Sequence, residues 1–276
     1  MRTLRSILLG ALLCAGSGFA FAGAVVSGFN SNTLAANDDG YTGLVNIGFT
    51  VNFFGSNYSQ LYVNNNGNLT FDAALSTYTP FNLYNAGRVM IAPFFGDVDT
   101  RGTGSGLLRY GPGTFDGHTA FGATWDGTGV GYFSDNVDKL NKFQTLLVDR
   151  ADTGAGNFDI YFNYDQIQWE TGDVSGGTNG LGGDSARAGY SNGTPAYSYE
   201  LPGSGVNGGL LDSNLVTGLI HSSNIGVPGR DLFTVRNGQV IIPPPPAGVP
   251  DTASTVSLLC VALVAFAAIR RKLARA

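Results

Sequence analysis

The sequence predicts a mainly β protein whose single folded domain is an antiparallel β-sandwich or a barrel-like structure. Glycine accounts for 41 of the 276 residues, about twice the usual fraction of roughly 7%. A helical protein would lose about 1 kcal/mol for each interior glycine, so most glycines are expected in turns between short strands. Apolar and polar residues alternate with period two, and we predict no helix of three turns inside the domain.

Several segments have the alternation and the β-branched or aromatic content of strands. Residues 62–71 contain two short runs around Asn66-Gly67, a pair typical of a type I′ hairpin turn with positive φ at both central positions. The other strand candidates are Val45–Phe54, Val89–Phe95, Leu107–Tyr110, Thr119–Trp125, Lys142–Asp149, Phe158–Tyr164, Ala186–Ser191 and Leu232–Val235. In the segment 158–164 we expect Phe158, Ile160, Phe162 and Tyr164 to face the core, and Asp159, Tyr161 and Asn163 to face water.

The amino terminus, residues 1–22, has the layout of a secretory signal peptide. Two arginines precede an apolar run from Ile7 to Phe21, and small residues stand at Ala20 and Ala22. We therefore expect cleavage after Ala22. Lipidation at Cys14 is disfavoured because a leucine precedes that cysteine.

The carboxyl terminus predicts a spacer and then a membrane segment. Residues 243–250 form a proline-rich linker whose four consecutive prolines favour an extended polyproline II conformation. Residues 253–269 are apolar or small, which is just long enough to reach across a bilayer. The basic residues Arg270, Arg271 and Lys272 follow and would keep the end of the chain in the cytoplasm. A buried core helix is the alternative interpretation.

The order Val249, Pro250, Asp251, small residues, apolar helix and arginines resembles the sorting signals of the PEP-CTERM class, in particular the VPDSG-CTERM variant. This chain has Thr252-Ala253 where the variant has Ser-Gly. The resemblance implies that residues 249–276 are a sorting signal processed by an exosortase-type transpeptidase. It also implies transient anchoring in the inner membrane before processing.

The positions of the cysteines and the net charge of the domain exclude two further classes, disulfide-rich domains and nucleic-acid-binding proteins. Cys14 and Cys260 lie in the two terminal segments, so the domain between them has no disulfide framework. Residues 23–250 carry nine basic and 19 acidic side chains, a net charge of −10. Such an acidic surface repels nucleic acid. It could still associate with a matrix through bridging cations.

Three stretches of the domain, which we assign to residues 23–242, are similar to the nidogen-like (NIDO) extracellular domain. Residues 88–110 contain its apolar-Ala-Pro-Phe pattern followed by Gly-Asp-Val-Asp, residues 123–173 resemble its middle, and residues 185–194 resemble its closing strand. The closest family match therefore covers 88–194. The resemblance implies a matrix protein associated with cell-matrix adhesion and without enzymatic activity, since the domain occurs in animals in basement-membrane and matrix proteins.

Asp97 and Asp99 are the candidate metal ligands. They stand two residues apart on an extended segment, where side chains share one face. Together with Asp38, Asp39 or the carbonyls of residues 100–104 they could hold Ca²⁺, which takes six to eight oxygen ligands. A glycosidase carboxylate pair is a second interpretation, and solvated turn residues bonded to loop amides are the most common one. No other cofactor is expected.

One weak catalytic pattern is present. Ser191 lies in a G-x-S-x-G sequence and is followed by Asp212 and His221, but a nucleophile elbow needs a strand, a turn and a helix. Pro195 follows too soon for that helix, so we expect a strand end and a turn. A zinc site at His118 and His221 is disfavoured because the two histidines are about 100 residues apart and the domain has no cysteine to join them as a ligand.

The sequence thus predicts an exported, non-enzymatic protein of the cell envelope, cell surface or extracellular matrix. We expect a role in cell-matrix adhesion or in biofilm and exopolysaccharide structure, with matrix or polysaccharide as partner. The alternative is a secreted carbohydrate-active protein, either a glycoside hydrolase or a sugar-binding module. Its sugar-stacking candidates are Tyr41, Tyr58, Tyr78 and Tyr84, although tyrosines in such loops more often cover the ends of a sandwich.

Overall fold

The computed structural model describes residues 23–130 and 138–241, and strands dominate both ranges. The strands in chain order are Asn32–Thr33 (β1), Val45–Phe53 (β2), Ser56–Asn64 (β3), Asn68–Thr70 (β4), Val89–Phe95 (β5), Val98–Asp99 (β6), Leu108–Phe115 (β7), His118–Val130 (β8), Asn141–Asp149 (β9), Phe158–Ile167 (β10), Arg187–Asn192 (β11), Ser198–Glu200 (β12), Arg230–Arg236 (β13) and Gln239–Ile241 (β14). Each predicted strand segment overlaps one of them. Helical structure in these ranges consists of 3₁₀ turns at Leu83–Asn85, Ala151–Thr153, Asp173–Ser175 and Pro195–Tyr197.

The strands form two antiparallel sheets. The larger sheet has the order β1-β7-β8-β9-β10-β13-β14, with β6 paired to β8, and the smaller has the order β12-β11-β5-β4-β3-β2. Neighbouring strands are antiparallel in both. The prediction of a mainly β, antiparallel domain is therefore confirmed. Both sheets are open, ending at β1 and β14 or at β12 and β2, so the layered alternative is observed rather than a closed barrel.

The core lies between the two sheets and is rich in aromatic rings. Phe53 of the smaller sheet meets Phe158 of the larger one with ring centroids 5.7 Å apart. Phe94 likewise meets Phe143 at 5.1 Å. Edge-on and tilted ring pairs are worth about 0.5–1.5 kcal/mol beyond the apolar area that they bury, so these contacts hold the layers face to face.

The outer face of the larger sheet is covered, which corrects the expectation for β10. Asp159 and Asn163 were expected to face water, but they are 2% and 0% exposed. Asp159 pairs with Arg150 at 2.8 Å and Arg236 at 2.7 Å, and Asn163 accepts a hydrogen bond from Arg230. Buried polar groups need such partners, and two of the three, Arg230 and Arg236, come from a distant part of the chain.

The segment after residue 22 supplies part of that cover. Its Phe29 is buried in a cluster with Ala120, Leu146 and Val148 on the outer face of β8 and β9. The backbone of Val26 donates to and accepts from the side chain of Gln144, at 3.0 and 2.7 Å. The start of the described chain is therefore an integral layer of the fold.

The turn at Asn66-Gly67 also differs from the expectation. A hairpin does join β3 and β4, but its loop has three residues and only Gly67 has positive φ, at 76°. Three-residue hairpin loops place glycine in this left-handed position. The pattern of two positive φ values occurs instead at Phe54-Gly55, Asp116-Gly117, Asn179-Gly180 and Asn237-Gly238. The side chain of Asn66 accepts a hydrogen bond from the backbone of Val98, which helps to fix the longer loop.

The terminal segments lie outside the described residues. They comprise the signal peptide 1–22 with Ala20 and Ala22, the linker 243–250, and the sorting signal 249–276 with its membrane segment 253–269. The expectations for Val249, Pro250, Asp251, Arg270, Arg271 and Lys272 fall there too. Within residues 23–130 and 138–241, no helix has the length and hydropathy that crossing a membrane would require.

The burial of Asp231 on β13 is expected to make the stability of the domain depend on pH. The residue is 2% exposed, and burial raises its pKa to about 6, although a hydrogen bond from Ser222 opposes the shift. A carboxyl with a raised folded-state pKa stabilises the fold while protonated, and this contribution is lost as pH rises from about 4 through about 6. We expect Asp231→Asn to stabilise the protein at pH 7 by up to about 3 kcal/mol.

The measurement is denaturant unfolding of both proteins at pH 4 and pH 7. The stability advantage of the variant should widen between the two pH values, because only the wild type has an ionising group at this position. A constant difference would contradict the prediction.

Candidate functional site

An acidic loop, Asn37–Gly40, lies against the end of β6. The side-chain Oδ1 of Asn37 accepts a hydrogen bond from the Gly40 backbone at 2.7 Å, which closes the loop. Thr100 fastens the loop from the other side: its Oγ1 accepts from the Asn37 backbone at 2.9 Å, and its own N–H donates to the Asn37 carbonyl at 2.9 Å. The positions of Asp38 and Asp39 are therefore set by hydrogen bonds on both sides.

The hairpin loop between β3 and β4 forms the floor beneath the acidic loop. Asn65 donates its backbone N–H to the Gly40 carbonyl at 2.9 Å, and its Nδ2 donates to the carbonyls of Val98 and Asp38. Asn66 donates to Asp39 Oδ1 at 2.8 Å. Sequence reasoning missed both asparagines, because the run NNNGN reads as a hairpin turn. The sequence feature that could have identified them is the presence of four asparagines in the five positions 64–68, which is more than a turn requires.

Three carboxylates converge at this place. Asp38, Asp39 and Asp97 each offer one oxygen, and these oxygens all lie within 4.8 Å of one another. Asp97 is 2% exposed. Its Oδ2 and the Oδ1 of Asp38 are buried without a hydrogen-bond donor. Burial, reinforced by the neighbouring carboxylates, raises the pKa of Asp97 to about 7 and that of Asp38 to about 6.

Asp99 has a different role from Asp97, although the two were predicted as a pair. Both oxygens of Asp99 accept hydrogen bonds from the guanidinium of Arg101, at 2.9 and 2.7 Å. Arg101 also donates to Asp38 Oδ2 at 2.8 Å. Asp99 therefore positions Arg101, which neutralises one side of the cluster, while Asp97 joins the loop carboxylates.

The ligand atoms that the three aspartates offer to a metal ion are all carboxylate oxygens. Within the described ranges, this is the one group of three or more carboxylate, histidine or cysteine ligands that comes together. Glycosidase acids flank a cleft about 5–9.5 Å apart with room for a sugar. Asp97 is buried and both oxygens of Asp99 are bonded to Arg101, so neither carboxylate is presented to a sugar as a glycosidase acid would be.

The serine pattern does not form a triad in the structure. Ser191 lies on β11, and its Oγ contacts the hydroxyl of Ser198 at 2.7 Å and the backbone N–H of Gly193 at 2.9 Å. The ring of His221 contacts the backbone carbonyl of Asp212 at 3.0 Å. The sheet is antiparallel, and a 3₁₀ turn rather than an α-helix follows the strand, so the nucleophile elbow is absent.

The fold places the chain among antiparallel two-sheet β domains, and comparison with known families narrows that class. Residues 59–114 and 109–237 match the model of the nidogen-like domain. The chain therefore belongs to the nidogen-like domain family, as the resemblance at 88–194 predicted, and the match extends well beyond that stretch. Residues 248–273 match the VPDSG-CTERM motif, which confirms the resemblance noted at residues 249–276 and implies processing by a sorting transpeptidase.

Curated relatives support the same family. Alpha-tectorin of Mus musculus is 32% identical over 225 residues, which are 74% of this chain and 10% of the relative. Nidogen of Drosophila melanogaster is 33% identical over 209 residues, 67% of this chain and 14% of the relative. The chain thus spans about a tenth of the length of the first relatives that it matches. No solved structure matches it.

Proposed function

We propose that this chain is a non-enzymatic structural protein of the cell surface or extracellular matrix, acting in cell-matrix adhesion or in exopolysaccharide-associated biofilm structure. One observation carries the proposal. A nidogen-like domain at residues 59–237 and a VPDSG-CTERM motif at residues 248–273 occur on the same chain. The first is a matrix-protein domain, and the second is a sorting signal for export.

Sorting would use both ends of the chain. The segment 1–22 would direct export and be removed after Ala22. The apolar stretch 253–269 and the basic residues after it would then hold the chain in the inner membrane. This would leave Val249, Pro250 and Asp251 at the membrane surface for an exosortase-type transpeptidase.

The charge of the domain suits a matrix role. Residues 23–250 have a net charge of −10, so anionic polysaccharide would approach mainly with the help of bridging cations. The relatives and the family support a structural rather than a catalytic role.

Cell fractionation tests the sorting step. We expect the full chain to reach the surface fraction in a form shortened at its carboxyl terminus. Replacement of Val249, Pro250 and Asp251 by alanine leaves the apolar sequence 253–269 unchanged and should retain the uncleaved chain in the inner membrane. Deletion of residues 249–276 should release the protein from the membrane without surface retention.

Ser257→Ala is the matched control, because it changes the same tail outside the Val-Pro-Asp sequence and should be sorted like the wild type. Equal surface display of the chain without residues 249–276 would refute the sorting role.

A further inference from the structure

We infer that Asp38, Asp39 and Asp97 form a calcium site that fastens the acidic loop Asn37–Gly40 to the hairpin loop and to β6. This inference concerns a metal site in the folded domain and does not rest on the sorting or adhesion roles. It also replaces the expected pair of Asp97 and Asp99 with a different ligand set, in which Asp99 acts through Arg101.

Two buried carboxylate oxygens of this cluster have no hydrogen-bond donor among the described residues. Asp38 uses Oδ2 for Arg101, and Asp39 uses Oδ1 for Asn66. The Oδ1 of Asp38 and the Oδ2 of Asp97 are buried without donors. One oxygen from each of the three carboxylates lies within 4.8 Å of the other two, a spacing at which a single ion can contact all three.

The burial of Asp97 supports a bound cation independently of the clustering of the carboxylates. The side chain is 2% exposed, and no described group donates a hydrogen bond to it. A buried carboxylate without a partner costs several kcal/mol, and neighbouring charges of the same sign increase the cost. Arg101 is bound to Asp99 and Asp38, so it does not compensate Asp97. A bound cation supplies the missing partner.

A further oxygen stands beside the cluster. Asn65 is 0% exposed and its Oδ1 is also buried without a donor, while its Nδ2 contacts the carbonyl of Asp38. Gly172 packs so closely on Asp97 that a Cβ at this position would overlap Asp97 Oδ2. The site is therefore enclosed on that side, and the remaining coordination positions of the ion would be taken by water.

The chemistry of the ligands selects calcium among common cations. Carboxylate and amide oxygens are hard ligands, and the cluster contains no thiolate or imidazole, the ligands typical of zinc. Oxygens contributed from a loop, a hairpin and a strand end suit the irregular coordination of Ca²⁺ better than the strict octahedron of Mg²⁺. Calcium sites of extracellular modules typically bind with dissociation constants of about 10⁻⁴ to 10⁻³ M.

The test measures thermal unfolding of the full chain, purified in detergent, in chelator and in millimolar CaCl₂ or MgCl₂. At about 10 mM and with the dissociation constants given above, we expect Ca²⁺ to raise the Tm by about 3–10 °C. Asp97→Asn and Asp39→Asn should abolish that increase. Asp39 is partly exposed, so its substitution should leave the fold intact even if Asp97→Asn does not fold. Asp116→Asn, in an exposed turn, is the matched control and should retain the wild-type response.

Terbium luminescence gives a second readout, because Tb³⁺ replaces Ca²⁺ and is sensitised by nearby indole rings. Trp125 donates its indole N–H to the carbonyl of Asn65 at 2.7 Å, so it lies beside the site. We expect tryptophan-sensitised Tb³⁺ emission that Ca²⁺ displaces and that Asp39→Asn removes. The inference is overturned if Ca²⁺ leaves the Tm unchanged, if Mg²⁺ raises it equally, or if Asp39→Asn responds like the wild type.

Discussion

Gly67→Ala is expected to destabilise the domain by about 4 kcal/mol or more, one of the largest effects of a single methyl group in this chain. Gly67 has φ of 76°, and a Cβ there would overlap the carbonyl oxygen of Phe94. The hairpin loop would have to move away from β5. This movement would break the hydrogen bond from the Phe94 N–H to the Gly67 carbonyl and displace Asn65 and Asn66.

Gly117→Ala is the matched control for this substitution. Gly117 has nearly the same φ, 79°, but no atom lies within 4 Å of the position that its Cβ would occupy. Alanine there should cost only the left-handed backbone strain, about 1–2 kcal/mol. Denaturant unfolding of both variants at one pH measures the difference, and equal losses of stability would show that steric overlap at Gly67 is unimportant.

Trp125→Ala is expected to cost about 3–5 kcal/mol of folding free energy. The indole is 0% exposed and stacks on Phe143 with ring centroids 4.8 Å apart and an interplanar angle of 13°. Its N–H also donates a hydrogen bond to the Asn65 carbonyl, in the hairpin loop of the other sheet. Alanine removes both the ring packing and that connection between the layers.

Trp125→Phe separates the two contributions. The phenyl ring can keep the stacking on Phe143, but the hydrogen bond to Asn65 is lost, at a cost of about 1–3 kcal/mol. Tyr41→Ala, at a side chain that is 51% exposed, should change stability by less than about 0.5 kcal/mol. Chemical unfolding followed by circular dichroism measures all three variants, and a loss for Trp125→Ala no larger than that for Tyr41→Ala would contradict the expectation.

The strands were predictable because alternation is a local property of the chain. The apolar positions of β2 and β10 repeat every second residue, and a half-buried strand needs only that pattern. The second face of β10 was not predictable in the same way. Asp159 is buried by Arg236, 77 positions along the chain, and no local pattern reports a partner at that distance.

The candidate site was predictable only in part for the same reason. Acidic residues near Asp97 were identified from composition and spacing, and Asp38 and Asp39 were among them. The division between Asp97 and Asp99 depends on Arg101, whose guanidinium binds Asp99 through two hydrogen bonds. Two carboxylates on one extended segment are equivalent in the sequence, and only the position of the arginine distinguishes them.

The position of β13 has a mechanical consequence for the proposed attachment of the protein through its carboxyl-terminal tail. β14 is an edge strand of three residues, and β13 is its neighbour in the sheet. The first described residues are tied to the same strand, because Arg230 donates to the Ala24 carbonyl at 2.6 Å. Tension applied beyond Ile241 would therefore peel β14 first and then load β13. The short hairpin of β13 and β14 would therefore unfold at a lower force than the aromatic core.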